Sequence, residues 1–82
     1  MVAYLIVLEE AFRQENWKNV SFSAHKIKSN LRLMGLHVLL KMSDEIELKS
    51  RNGEDLINVQ TLVPSFIKLL NKAIIVLEKE MV

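Results

Sequence analysis

Apolar residues return every three or four positions along almost the whole chain, and little interrupts them: 82 residues include only two glycines and one proline. That spacing lays apolar side chains on one face of an α-helix, whereas a half-buried strand would alternate. From Val2 to about Glu15, Leu5, Leu8 and Phe12 recur in this way, flanked by Tyr4 and Ala11. Asn16 is an N-cap residue for a second helix, which Gly35 closes just past its last turn. Leu36 to about Arg51 makes a third, with Leu36, Leu39, Ser43 and Ile46 on its stripe, stopped by Asn52-Gly53. A fourth runs from about Asn58 to Glu80, with Leu62, Phe66, Leu69, Ala73 and Leu77 inward and Thr61, Ser65, Lys68, Lys72 and Lys79 outward. Pro64 suits the first turn of a helix; a start as early as Asn58 implies a kink between Asn58 and Val63. Short connections make successive helices antiparallel neighbours, so the expected fold is all-α, an antiparallel up-down four-helix bundle. Residues 1–82 form one domain, too short for a cleft between lobes but long enough for one packed core.

Charge and composition narrow the function. A formal net charge of +1 lacks the basic surplus of a DNA-binding domain. The absence of cysteine removes disulfides, thiol catalysis and thiolate zinc sites, and fits a cytoplasmic location. The opening MVAYLIVL stops at Glu9 and Glu10, well below the ~18 residues a membrane span needs. It reads as core helix, so no membrane span is expected.

The stretch SFSAHKIKSNLRLMG carries the most chemistry. On a helical wheel Val20, Ala24, Ile27, Leu31 and Met34 share one side, with Trp17 at its edge. His25 points roughly 140° from the middle of that stripe, and Ser21, Lys28, Ser29 and Arg32 lie within about 60° of it. His25 is therefore expected on the surface, among small hydroxyls and two cations. A general base wants an orienting carboxylate and a pocket, and neither is visible in the local sequence. A metal site wants a second ligand nearby; His37 lies across a helix break, and Lys28 and Arg32 repel a divalent cation. Cations do favour a neutral, nucleophilic imidazole, and they would stabilise an anionic group once it sat on the ring. Two readings stand at this point: a phosphoryl acceptor, or an ordinary histidine on a solvated basic face.

AHKIKSNLRLMGL resembles the signature of histidine-containing phosphotransfer (HPt) domains, which runs approximately Ala-His-x-Leu-Lys-Gly-Ser with a glycine ten residues after the histidine. Ala24, His25, Ile27 in place of leucine, Lys28 and Gly35 match it. Asn16-Trp17 stands where the family often has a polar residue and tryptophan, and Leu36 to Gly53 is similar to the family's third helix. The likeness covers residues 8 to 80. Ser29 and Asn30 replace the Gly-Ser pair, and the first helix is short for the family.

The resemblance implies a phosphorelay intermediate that takes a phosphoryl group from a receiver-domain aspartate and passes it to another receiver. It implies His25 as the acceptor and Lys28 as the partner of the phosphoryl oxygens. Ser21, Ser29 and Arg32 are supporting candidates from the wheel. It implies no cofactor and no intrinsic kinase activity in this chain; the magnesium ion and the aspartate belong to the response-regulator receiver. The chain could stand alone or belong to a hybrid sensor kinase. Receivers approach through apolar surface near the histidine, which nominates Phe22, Leu33, Leu36, His37 and Leu40. Leu36 and Leu40 could equally serve the core, and His37 could be an ordinary polar residue at a helix start.

Two other functions compete with this reading. A helix-turn-helix binder would use Lys18, Lys26, Lys28 and Arg32 on nucleic acid, but the near-neutral balance and acidic Asp44, Glu45 and Glu47 oppose it. A non-catalytic dimerisation module is the alternative, because the 50% hydrophobic content and short first helix leave room for a homodimer.

Overall fold

The computed structural model describes residues 2–81, with side chains placed from 3 to 76. Four helices follow in order: α1 (Val2–Arg13), α2 (Trp17–Met34), α3 (His37–Asn52) and α4 (Leu56–Met81). Successive helices pack side by side, and α1 also touches α4, which closes the up-down bundle.

Local chemistry sets the boundaries. α1 ends at Arg13, two residues before the expected Glu15, which adopts a positive φ of 56°. The Asn16 side chain then accepts a hydrogen bond from the backbone N–H of Asn19 and caps α2. Gly35 has a φ of 71°, and the N–H groups of Gly35 and Leu36 reach back to the carbonyls of Arg32 and Leu31. This pairing satisfies the end of α2 and turns the chain into α3. Gly53, at φ 67°, ends α3 in the same way, with Glu54 donating to the Lys49 carbonyl.

The core is built from Leu5 and Leu8 of α1, Val20, Ala24, Ile27 and Leu31 of α2, Leu39 and Ile46 of α3, and Val59, Val63, Phe66 and Leu70 of α4. Phe66 is its largest fully buried side chain. Met34, placed on the α2 stripe by the wheel, is 36% exposed, because the chain is already turning at Gly35.

The α4 stripe is rotated from the expected one. Val59, Val63, Phe66 and Leu70 are buried, Leu62 and Ala73 only half so, and Leu69 is 42% exposed. Several apolar stripes compete on so hydrophobic a helix, and its packing against α3 and α1 selects one. The expected positions of the Leu77 and Lys79 side chains lie outside the described residues. α4 begins at Leu56 rather than Asn58 and runs unbroken through Pro64, which sits on the exposed face. There the Gln60 carbonyl, deprived of its helical donor, can turn to water. Among the described residues α4 is also the one helix long and apolar enough to cross a membrane, over Leu56–Val76. Its inner stripe is occupied by the bundle core.

Candidate functional site

The site grows from the way α3 lies against α2. Ala24 is completely buried and offers only a methyl group, so α3 can come close. Two serine hydroxyls then clip the helices together. Ser43 Oγ donates to the Ala24 carbonyl at 2.7 Å, and Ser21 Oγ donates to the Glu47 carbonyl at 3.1 Å. Buried hydrogen bonds of this kind contribute about 0.5–1.5 kcal/mol each, and here they also fix the register of the helix pair.

That register brings Glu47 to His25. Oε2 of Glu47 lies 3.0 Å from His25 Nδ1, across 22 residues of sequence. The other carboxylate oxygen lies 2.7 Å from Lys28 Nζ, which also donates to Asp44 Oδ1 at 3.1 Å. The result is a continuous line: Asp44, Lys28, Glu47, His25. The Glu47 side chain is 10% exposed and that of His25 is 55% exposed, so the line ends with a sheltered carboxylate beside an open imidazole.

The electrostatics are cooperative. Lys28 has its ammonium pushed above the usual lysine value, first by the hydrogen bond to Glu47; burial opposes this, and Asp44 adds to it. Burial alone pushes the Glu47 carboxyl up, but Lys28 and His25 outweigh it and hold it below the usual carboxylate range. Glu47 is therefore charged at neutral pH.

A carboxylate can only accept, so the Nδ1 that faces it carries the proton. In the neutral ring this leaves the lone pair on Nε2. The bundle thus holds the imidazole of His25 in the tautomer that leaves Nε2 its lone pair.

Beside His25 lies an open hollow of about 630 Å³. α2 lines it with Lys18, Ser21 and Phe22, and α3 with Glu47, Ser50 and Arg51. Both the orienting carboxylate and the pocket that the local sequence hid are therefore present, built by α3.

Ser29 and Arg32 are exposed on the His25 face of α2. Ser21 is buried at 8%, so its hydroxyl braces Glu47 instead of standing free around the ring. Lys28 is engaged with two carboxylates instead of lying open beside the histidine. Phe22 and Leu33 are exposed at 52% and 87%, apolar surface on either side of His25 along α2. Leu36 and Leu40 are half-buried and packed against the core, which is their first role. His37 opens α3 and is exposed.

Glu47 was the residue that local motif reading missed. One signal could have found it: His25 and Glu47 each stand eleven residues from Leu36, at the turn between α2 and α3. In an antiparallel pair, equal distances from the turn mean equal heights along the axes.

An open imidazole oriented by a carboxylate on a helix face is an arrangement that can accept a phosphoryl group. The chain matches the Hpt domain family model over residues 1–79, and it is a member of that family. Comparison with curated proteins and with solved structures gives no match. Hpt domains act in phosphotransfer within two-component phosphorelays and interact with response-regulator receiver domains.

Proposed function

We propose that this protein is a phosphorelay intermediate that carries its phosphoryl group on Nε2 of His25. The observation that supports the reading best is the hydrogen bond between Nδ1 and Glu47, which leaves Nε2 unprotonated on a ring that is 55% exposed. The Nε2 lone pair attacks the phosphorus of a receiver's aspartyl phosphate. The N–P bond forms as the P–O bond breaks, and its electron pair returns to the aspartate carboxylate. The Nδ1 proton stays in place, and Glu47 balances the positive charge that builds on the ring. The reverse step delivers the group to a second receiver.

Positioning and charge are most of what such a transfer asks of a protein. The receiver supplies the aspartate and the magnesium ion, and this chain needs no cofactor of its own. Phe22 and Leu33 are the proposed apolar contacts for the receiver, with His37 at the rim.

The test is incubation with a phosphorylated receiver domain, following acid-labile, base-stable phosphate on this chain. Wild type should take the label and His25→Gln should take none, with folding stability lowered by about 0.5–1.5 kcal/mol at most, the worth of the hydrogen bond to Glu47. Undiminished labelling of His25→Gln would exclude His25 and turn attention to His37.

A further inference from the structure

α1 lies closely along α2 but only grazes α4, so the seam between α1 and α4 stays open. A groove of about 490 Å³ runs there, between Glu9 and Phe12 on one side and the Pro64–Asn71 stretch of α4 on the other. Phe12 and Ile67 are half-buried in it, and Pro64 is exposed. Ile6, one turn before Glu9, and Ile75, one turn after Asn71, carry apolar surface beyond the groove, exposed at 62% and 50%. Apolar surface gathered on one face and rimmed by charge marks an interaction site.

The rim charges say what fits it. Glu9 borders the groove from α1 and Lys68 borders it from α4. Both are exposed, and among the described residues neither takes part in an ion pair. This arrangement is complementary to itself. A two-fold axis running along the groove, parallel to the helices, lays α1 of each copy over α4 of the other. Glu9 of one copy then meets Lys68 of the second, and the symmetry makes the same pair again in reverse. The two apolar floors close on each other at the same time. A lipid surface would want cations alone, and Glu9 works against it.

We propose that the α1–α4 face is a homodimer interface, closed by apolar contact through Phe12, Pro64 and Ile67 and set in register by reciprocal Glu9–Lys68 pairs. α1 is only about 18 Å long at 1.5 Å per residue, so the buried area falls in the transient class, below about 1,200 Å², and the dimer exchanges with monomer. The α1–α4 edge lies opposite the α2–α3 edge that carries His25, so the dimer presents two open imidazoles on its outer sides. The inference stands apart from the reading of His25.

Sedimentation across a series from micromolar to millimolar chain tests it, on wild type, Glu9→Lys, Lys68→Glu and an equimolar mixture of the two variants. Circular dichroism checks folding, and flotation with phosphatidylserine vesicles is run alongside. Wild type should exchange reversibly between monomer and dimer. Each single variant sets like charges against each other twice and should weaken the dimer roughly tenfold or more. The mixture should regain it, because the reversed lysine of one variant then faces the reversed glutamate of the other. A wild type that stays monomeric throughout overturns the proposal, and one that floats with the vesicles instead gives the face to a membrane. A dimer untouched by either reversal lies on a different face. Weakened single variants that do not recover on mixing overturn the reciprocal pairing.

Discussion

His25 on α2 donates from Nδ1 to Glu47 on α3 at 3.0 Å, and this contact decides which nitrogen of the neutral ring keeps its lone pair. It depends on two serine clips and a buried alanine that set the height of α3 against α2. The chemistry of the exposed ring is thus governed from inside the bundle.

Substitutions at Glu47 should separate orientation from charge. Glu47→Gln keeps an acceptor for the Nδ1 proton and should retain much of the phosphate acceptance. Glu47→Ala lets the ring adopt either tautomer and should lose several-fold, since a positioned hydrogen-bond partner contributes roughly 1 kcal/mol. Ring nitrogen NMR reads the tautomer directly. An unchanged tautomer in Glu47→Ala would mean that the carboxylate does not orient the ring.

Stability should depend on pH through the same carboxylate. The folded pKa of Glu47 is lowered, so its contribution is present above the unfolded value of about 4.3 and is lost as pH falls through the lower folded value. The Lys28 pKa is raised, so its contribution is complete below about 10.4 and fades as pH climbs through the higher folded value. Urea unfolding should therefore find a plateau from weakly acidic to weakly alkaline pH, with losses at either end. Glu47→Gln should flatten the acid limb. An identical acid limb in that variant would place the linkage on other carboxylates.

Gly35 should matter to folding and not to chemistry. A Cβ at this position would meet no heavy atom within 4 Å, so the sole cost is the left-handed backbone at φ 71°. Gly35→Ala should lose about 1–2 kcal/mol in denaturant unfolding while accepting phosphate normally. A much larger loss, or a loss of acceptance in a folded variant, would point to a role beyond the turn.

Ser29 tests the direction from which the receiver arrives. It is exposed and lies about 40° from His25 on the wheel, where the family pattern has glycine. Ser29→Tyr should fold, accept phosphate from phosphoramidate, and fail with a phosphorylated receiver because the tyrosine holds the two proteins apart. Full transfer from the receiver would show that it docks over a different turn.

Much of this architecture is local and could be read along the chain. Helical periodicity, Asn16, Gly35 and Gly53 act over a few residues, so helix number, order and most boundaries followed from them. The exposure of His25 followed from one wheel, since the buried side of α2 is unambiguous from Val20 to Leu31. Periodicity could not choose the buried stripe of α4, where the apolar residues outnumber those one face needs and only neighbours decide between Leu69 and Leu70. Nor could a single helix show what stands opposite His25. The partnership of His25 with Glu47, the capture of Lys28 by Asp44 and Glu47, and the hollow shared by Lys18 and Arg51 all lie between α2 and α3. Such contacts come from the register of two helices, which buried packing and the Ser21 and Ser43 hydrogen bonds set across the chain. Local sequence made the imidazole available, and tertiary packing set its tautomer.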